Sequence, residues 1–246
     1  MDLQNAWAVA AKDFKILRKK SSVIYSSIVL PIVIGVAFPL ILNYAIEKNK
    51  NGGMTAATIP TLMDAFSIWF LIGAVMIPTA IASYSLVGEK IQKSLEPMLA
   101  TPMSDGEILL GKTISGLLIP VAAIYAGSIL FMALMDQVTV GKLGYLYYPN
   151  WQIGAILLAA PLASLLSVQL NVIISSRVND ARTAQQLGVL VVIPFAGVYV
   201  ASEMGFFQFS DTNLLIIAGA LLIVDLCLFF LSKATFQREQ ILTKWR

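Results

Sequence analysis

Histidine is absent from this chain. That removes the side chain on which most general acid–base catalysis, the zinc-protease motifs and serine–histidine pairs depend. Cysteine occurs once, as Cys227 inside an apolar run, so neither an internal disulfide nor a cysteine metal site is possible. Charge is scarce as well. Only 13% of residues are Asp, Glu, Lys or Arg, about half the share usual in soluble domains. Internal repeats, low-complexity tracts and a soluble domain are also missing. What is abundant is apolar sequence, 58% of the chain, and its arrangement sets the class.

Runs long enough to cross a bilayer lie at about 23–46, 64–87, 108–135, 151–175, 184–206 and 212–232, each near or above the ~20 residues a transmembrane helix needs. The chain is therefore expected to be a single all-α integral membrane domain over residues 1–246 with six transmembrane helices. Residues 1–22 precede the first run. Leu3, Trp7, Ala10, Phe14 and Leu17 fall on one helical face and Lys12, Lys15 and Lys19 on another, which predicts an amphipathic helix in the membrane interface. The segment is too highly charged, and the following run lacks a cleavage-like end, for a signal peptide.

Six crossings place both termini on one side, and the basic residues choose which. The N-terminal segment, the 88–112 loop, the 176–183 loop and the C-terminal tail hold fourteen Lys and Arg, whereas the other three loops hold only Lys48, Lys50 and Lys142. The positive-inside rule then makes the termini and the 88–112 loop cytoplasmic. Tyr145, Tyr147, Tyr148 and Trp151 on the opposite side fit an aromatic belt. The outer loop at Lys48–Met63 is rich in Gly, Asn and Thr, and the short one at 203–211 either dips into the membrane or caps its span.

The stretch Gly88–Lys112 is the longest polar interruption. Glu89 and Lys93 stand four apart in the favourable order for a helical pair, and Ile91, Leu95 and Met98/Leu99 recur at helical spacing. Pro97 breaks or kinks that helix, and Thr101-Pro102 makes a turn. Ser104 with Glu107 three residues on is a capping box, so a new helix starts there and runs into the third span. A short surface helix, a turn and a capped re-entry suit a handle for another protein. Because the helix has no core of its own, Ile91, Leu95 and Leu99 are expected to fill a partner's groove, with Glu89, Lys93 and Glu96 at the polar rim.

Gly88-Glu89-Lys90, then Ser94-Leu95-Glu96-Pro97-Met98-Leu99-Ala100-Thr101-Pro102, then Glu107-Ile108-Leu109-Leu110-Gly111-Lys112 entering a span, resembles the membrane subunit of type 2 ABC-transporter permeases. Ser175–Gln186 resembles that family's loop between spans four and five. The resemblance implies that the element at 88–103 is a coupling helix docking on a separate ATPase subunit, which places Glu89, Ile91, Lys93, Leu95, Glu96, Pro97, Leu99, Thr101 and Pro102 at that contact. It further implies two ATPase subunits, a second permease subunit (a homodimer or a sister permease) and export as the usual direction. This chain would then sit in the cell membrane as a non-catalytic subunit without a cofactor, ATP and magnesium being on the partner, and with no nucleic acid involved.

Two nucleotide-site motifs are excluded by context. Gly106–Thr113 fits G-x-x-x-x-G-K-[ST] letter for letter, but its interior, Glu-Ile-Leu-Leu, is helix-forming, carries an acid at the supposed anion site and follows a capping box rather than a buried strand. Leu221–Asp225 mimics a Walker B strand within a membrane-length run. Inside the spans, Ala155, Ala159, Ala163, Ser167, Asn171 and Ser175 form a row of small or polar residues that permits close helix approach, within the subunit or across a dimer. Pro31, Pro39, Pro78, Pro120, Pro161 and Pro194 also lie within spans. Asp225 is the one carboxylate deep in an apolar run, so it is a possible pathway residue: either it meets a cation or a proton, or it is a protonated acid hydrogen-bonded to a neighbouring helix.

Three functions compete on the sequence. A permease driven by a partner ATPase is favoured. A stand-alone secondary transporter or channel would show intramembrane charges or paired repeats, and one aspartate is thin support. A membrane enzyme would need a convergent polar constellation, and none is visible.

Overall fold

The computed structural model describes residues 2–19, 21–48, 58–94, 97–98, 100–148, 150–178, 180–206 and 210–235. Among them every regular element is helical. The helices are α1 (Leu3–Lys19), α2 (Ser21–Lys48), α3 (Thr58–Ala82), α4 (Tyr84–Ile91), α5 (Asp105–Leu143), α6 (Trp151–Gly154), a π-helical turn (Ala155–Ala159), α7 (Ala160–Arg177), α8 (Ala181–Val189), α9 (Val192–Glu203) and α10 (Asp211–Thr235). Six helical stretches are long and apolar enough to cross a membrane: Ser27–Lys48, Ile59–Ile91, Asp105–Gly141, Ala155–Arg177, Arg182–Ser202 and Thr212–Lys233.

Two of these rods exceed what a bilayer requires. Ser83 keeps a right-handed helical backbone between α3 and α4, and its N–H still reaches the Thr79 carbonyl at 3.0 Å. The 33 residues of Ile59–Ile91 therefore run about 50 Å at 1.5 Å per residue, against a hydrocarbon core of about 30 Å. The 39-residue α5 is longer still. It continues past the apolar run through Asp136 and Gln137 because polar residues end burial without ending a helix. It stops at Gly144, which adopts a left-handed φ of 76° that an L side chain disfavours. Both rods are thus longer than the hydrocarbon core of a bilayer, and α4 at the end of the first lies beside the opening turns of α5.

The core lies among α2, α3, α5 and α7, with Phe70, Phe131, Met63, Met135 and Ile124 fully enclosed. Gly35 and Gly127 let α2 and α5 touch backbone to backbone: a Cβ on Gly35 would lie 2.5 Å from the Gly127 carbonyl oxygen. Ala155, Ala159, Ala163, Ser167, Asn171 and Ser175 are all buried. The Ser167 hydroxyl donates to the Val75 carbonyl at 2.7 Å, so the row packs against α3 of the same chain. α9 and α10 stand at the periphery, and with α2 they leave Val33, Ile41, Ile193, Ile216, Ile223 and Phe230 exposed. Faces this apolar are stable only against lipid or protein.

Each proline inside a helix frees the carbonyl four residues earlier, since it has no N–H to offer. Pro78 frees Ala74, and the Ser164 hydroxyl of α7 donates to that carbonyl at 2.8 Å. Pro161 frees Leu157, and the Tyr125 hydroxyl of α5 donates there at 3.1 Å. Neighbouring helices thereby satisfy backbone groups that lipid cannot. Pro194 acts differently: the chain breaks into turn at Leu190 and Val191, between α8 and α9. At the far end of α5, Asp136 accepts the Tyr147 and Tyr148 N–H groups at 3.1 Å each. The Tyr148 hydroxyl pairs with Ser67 at 3.0 Å, and the segment folds back over the core.

Candidate functional site

The end where α4 meets the start of α5 is built on charge. Glu89 of α4 is 3% exposed and Lys112 of α5 is 1% exposed, and their side chains meet at 3.1 Å. Lys12 of α1 bonds the same Glu89 oxygen. Asp13, next along α1, lies 3.6 Å from Lys112 and accepts the Ser115 hydroxyl at 3.1 Å. Two acids and two bases from three helices thus form a neutral, largely buried cluster. Burying single charges here would cost several kcal/mol each, and mutual pairing offsets that cost.

α1 lies alongside the first turns of α5 and is clamped at three levels. Glu107 accepts the Asp2 N–H at 2.7 Å and the Asn5 amide at 3.3 Å. Gly111 then lets the backbones meet, since a Cβ there would fall 2.5 Å from the Ala6 carbonyl oxygen and 2.6 Å from Val9 Cβ. The ion cluster closes the third level. The inward face of α1 is therefore the small set Ala6, Val9 and Ala10, all buried, while Leu3 and Trp7 stay exposed. Close approach at Gly111 selects small residues, so Ala10, one of the row expected to meet the membrane interface, turns toward α5 instead, and Phe14 and Leu17 are half-buried. Gly111 and Lys112, which imitate a phosphate-binding loop in sequence, are helical residues engaged with α1.

The capping box expected at Ser104 is present. The Glu107 N–H donates to Ser104 Oγ at 3.4 Å and the Ser104 N–H donates to Glu107 Oε2 at 2.9 Å. The preceding helix is shorter than expected. α4 ends at Ile91, and Lys93 has a left-handed φ of 53°, so Glu89 and Lys93 do not form a helical pair. Glu89 turns inward to Lys12 and Lys112 instead of lying at a rim. Ile91 and Lys93 are exposed, whereas Met98 is buried with Leu86, Ile108, Leu109, Val168 and Val172. The apolar positions therefore divide between outside and inside. Thr101 closes the turn, its hydroxyl donating to the Met98 carbonyl at 2.6 Å, and Pro97 and Pro102 are exposed. Leu95, Glu96 and Leu99 lie outside the described residues.

Lys90 ties α4 to a further element, donating to the Ser176 and Val178 carbonyls at 3.0 Å each. These belong to the C-terminal turn of α7, where a cation also suits the helix dipole. The following loop starts α8 with Asp180 as its cap, accepting the Thr183 N–H at 2.9 Å. That bond, with the Thr183 hydroxyl, holds the Asp180 carboxyl below its usual range. α4 is thereby fastened to α1 and α5 through Glu89 and to α7 through Lys90. Sequence reasoning missed this hub because its partners are 77 and 86 residues away. The signal available was Lys112 itself, a lysine within an apolar helix that needs a partner.

Asp225 lies elsewhere, on the buried face of α10 at 2% exposure. Neither of its carboxylate oxygens has a hydrogen-bond partner among the described residues. No group of three or more His, Cys, Asp or Glu among the described residues is placed to hold a metal ion.

The family model described as ABC-2 family transporter protein matches residues 7–208 of the chain. No curated protein matches it.

Proposed function

Since the chain belongs to the ABC-2 family of transporter proteins and is thus a multi-pass membrane subunit of an ABC transporter, we propose that it is an exporter half driven through the α4–α5 turn. Two such subunits form the pathway, and separate ATPase subunits sit beneath them. The hub end faces the cytoplasm, and α1 rests Leu3 and Trp7 in the membrane interface. ATP-driven closure of the partner presses on the turn between α4 and α5 through the exposed Ile91, Lys93, Pro97 and Pro102, with Leu95 and Leu99 proposed as further anchors. The observation that carries this reading is the fastening of α4. Glu89 and Lys90, adjacent in sequence, grip α5 and α7 separately, so a push on this short helix reaches two membrane-crossing helices at once.

Co-purification of the ATPase tests the contact. Interface energy concentrates in a few buried anchors, while rim charges contribute little. Ile91→Asp and Leu95→Asp are each expected to lower complex yield at least tenfold by burying an unpaired charge, with the membrane subunit still monodisperse. Lys93→Ala is expected to change it less than twofold. Wild-type yield and intact substrate-stimulated ATP hydrolysis with both Asp variants would overturn the proposed contact.

A further inference from the structure

α1 has three faces, and the clamp on α5 uses only one of them. At about 100° per residue, Ala6, Val9 and Ala10 fall together on the side that meets Gly111. Leu3, Trp7 and Phe14 fall on a second side, where Leu3 and Trp7 are exposed and the Trp7 and Phe14 rings lie 6.3 Å apart. Lys15, Arg18 and Lys19 make the third side, and all of them are exposed. None of the three forms an ion pair among the described residues.

The same packing strips this stretch of negative charge. Asp13, the one acid between Lys12 and Lys19, turns inward to Lys112 and Ser115. Lys12 is committed to Glu89. Three cations remain, with no acid on their side of the helix. A cation in the last turn suits the helix dipole, which accounts for Arg18 and Lys19 but not for Lys15, a turn earlier.

Their place along the chain decides what covers them. α2 starts two residues after Lys19, and its membrane-length stretch begins at Ser27. The cations therefore stand beside an aromatic pair at the foot of the first span. Basic clusters on an amphipathic helix next to a span attract anionic headgroups, and aromatic rings settle at headgroup depth. Glu107 and Gly111 hold α1 against rotation, so both outer faces keep a fixed aim.

We propose that α1 binds anionic phospholipid through Lys15, Arg18 and Lys19, with Trp7 and Phe14 against the upper acyl chains. This rests on the placement of α1 in the membrane interface and adds the charge of the lipid it selects. A zwitterionic lipid brings an ammonium group with each phosphate and gains less from three cations. The bound lipid braces the helix that Lys12 ties to Glu89, so the fastening of α4 extends to the membrane surface.

Quenching of one tryptophan on α1 by brominated lipid tests this. In the full-length chain the aromatic pair is exchanged, Trp7→Phe with Phe14→Trp, and Trp69, Trp151 and Trp245 become Phe. The remaining indole then lies one turn from Arg18. Nanodiscs hold phosphatidylcholine and phosphatidylglycerol at four to one, with bromine on the chains of either lipid. Random mixing makes quenching follow each lipid's share. Phosphatidylglycerol is expected to quench at least twofold above its share, and high salt to remove the excess. Lys15→Gln, Arg18→Gln and Lys19→Gln together are expected to abolish it. Arg177→Gln, Arg182→Gln and Lys233→Gln, which remove as much exposed charge elsewhere, are expected to leave it. Quenching by share with α1 unaltered, or equal loss from both charge sets, would overturn the proposal while leaving α1 in the interface. Quenching by neither lipid would overturn the interfacial placement as well. Quenching by share, with ATPase yield lost in the α1 variant, would assign the cations to a protein partner and overturn the lipid. Should the exchanged chain not fold, thermal unfolding of the chain with its native tryptophans decides, because binding to the native state raises the midpoint. A midpoint raised by phosphatidylglycerol in the wild type and the control set, but not in the α1 set, supports the proposal; any other pattern refutes it.

Discussion

Lys112→Met tests the ion cluster most directly. The lysine side chain is fully buried, 3.1 Å from Glu89 and 3.6 Å from Asp13. Without it, Glu89 keeps Lys12, whose side chain is 40% exposed and correspondingly screened, and Asp13 loses its ion pair. Breaking a buried pair from one side costs about 3–5 kcal/mol, and Lys112→Met belongs at the upper end. Glu89→Met belongs near the lower end, because Lys112 keeps Asp13. The double variant removes one charge of each sign and leaves Lys12 and Asp13 neutral together, so it is expected to cost about 2 kcal/mol or less. The coupling energy then exceeds about 3 kcal/mol in favour of the pair, more than a hundredfold in the folding constant. Equilibrium unfolding in mixed micelles titrated with dodecyl sulfate, followed by tryptophan fluorescence, measures all four corners of the cycle. Additivity within about 0.5 kcal/mol would show that the two side chains do not depend on one another, and would refute the cluster as the fastening of α4.

Gly111→Val is expected to cost about 1–3 kcal/mol by overpacking against Ala6 and Val9, and limited proteolysis should then cut within α1 faster than in the wild type. Ser164→Ala is expected to cost about 1 kcal/mol in the same unfolding assay, since it strips the Ala74 carbonyl of its donor. Pro78→Ala should restore most of that loss, because alanine returns the N–H; no rescue would discount the pairing. For topology, single cysteines at Pro102 and Tyr145 in a Cys227→Ser background are expected to label from opposite faces. Modification of the Pro102 cysteine by an impermeant reagent on intact cells would invert the orientation.

What the sequence revealed and what it hid divide by range. The apolar runs, the capping box at Ser104 and the small-residue row of the fourth span are written in neighbouring or regularly spaced residues, and each has its counterpart in the structure. The end of α4 at Ile91 was not legible. Lys93 carries no local mark of a left-handed backbone, and the Glu89–Lys93 spacing suggested a helical pair. Glu89 looked like a surface charge for the same reason: its true partners, Lys12 and Lys112, come from separate helices and leave no periodic trace. Gly111 offered a misleading signal, because the pattern that imitates a phosphate loop is the one that lets α1 approach α5. That Asp225 has no hydrogen-bond partner among the described residues could be known only once its neighbours had been placed.

The hydroxyl that Ser164 gives to Ala74 also bears on how the chain is made. The second span leaves the ribosome with Pro78 already in it and one carbonyl bare, and its donor follows 90 residues later. At about 5–20 residues per second, that interval is roughly 5–20 s, during which the span cannot be fully at home in hydrocarbon. The fourth span meets no such delay, because Tyr125 has been inserted before Leu157 arrives. Nascent chains stopped short of the fourth span should therefore keep the second close to the insertion machinery, and should release it into lipid only when synthesis has passed Ser164.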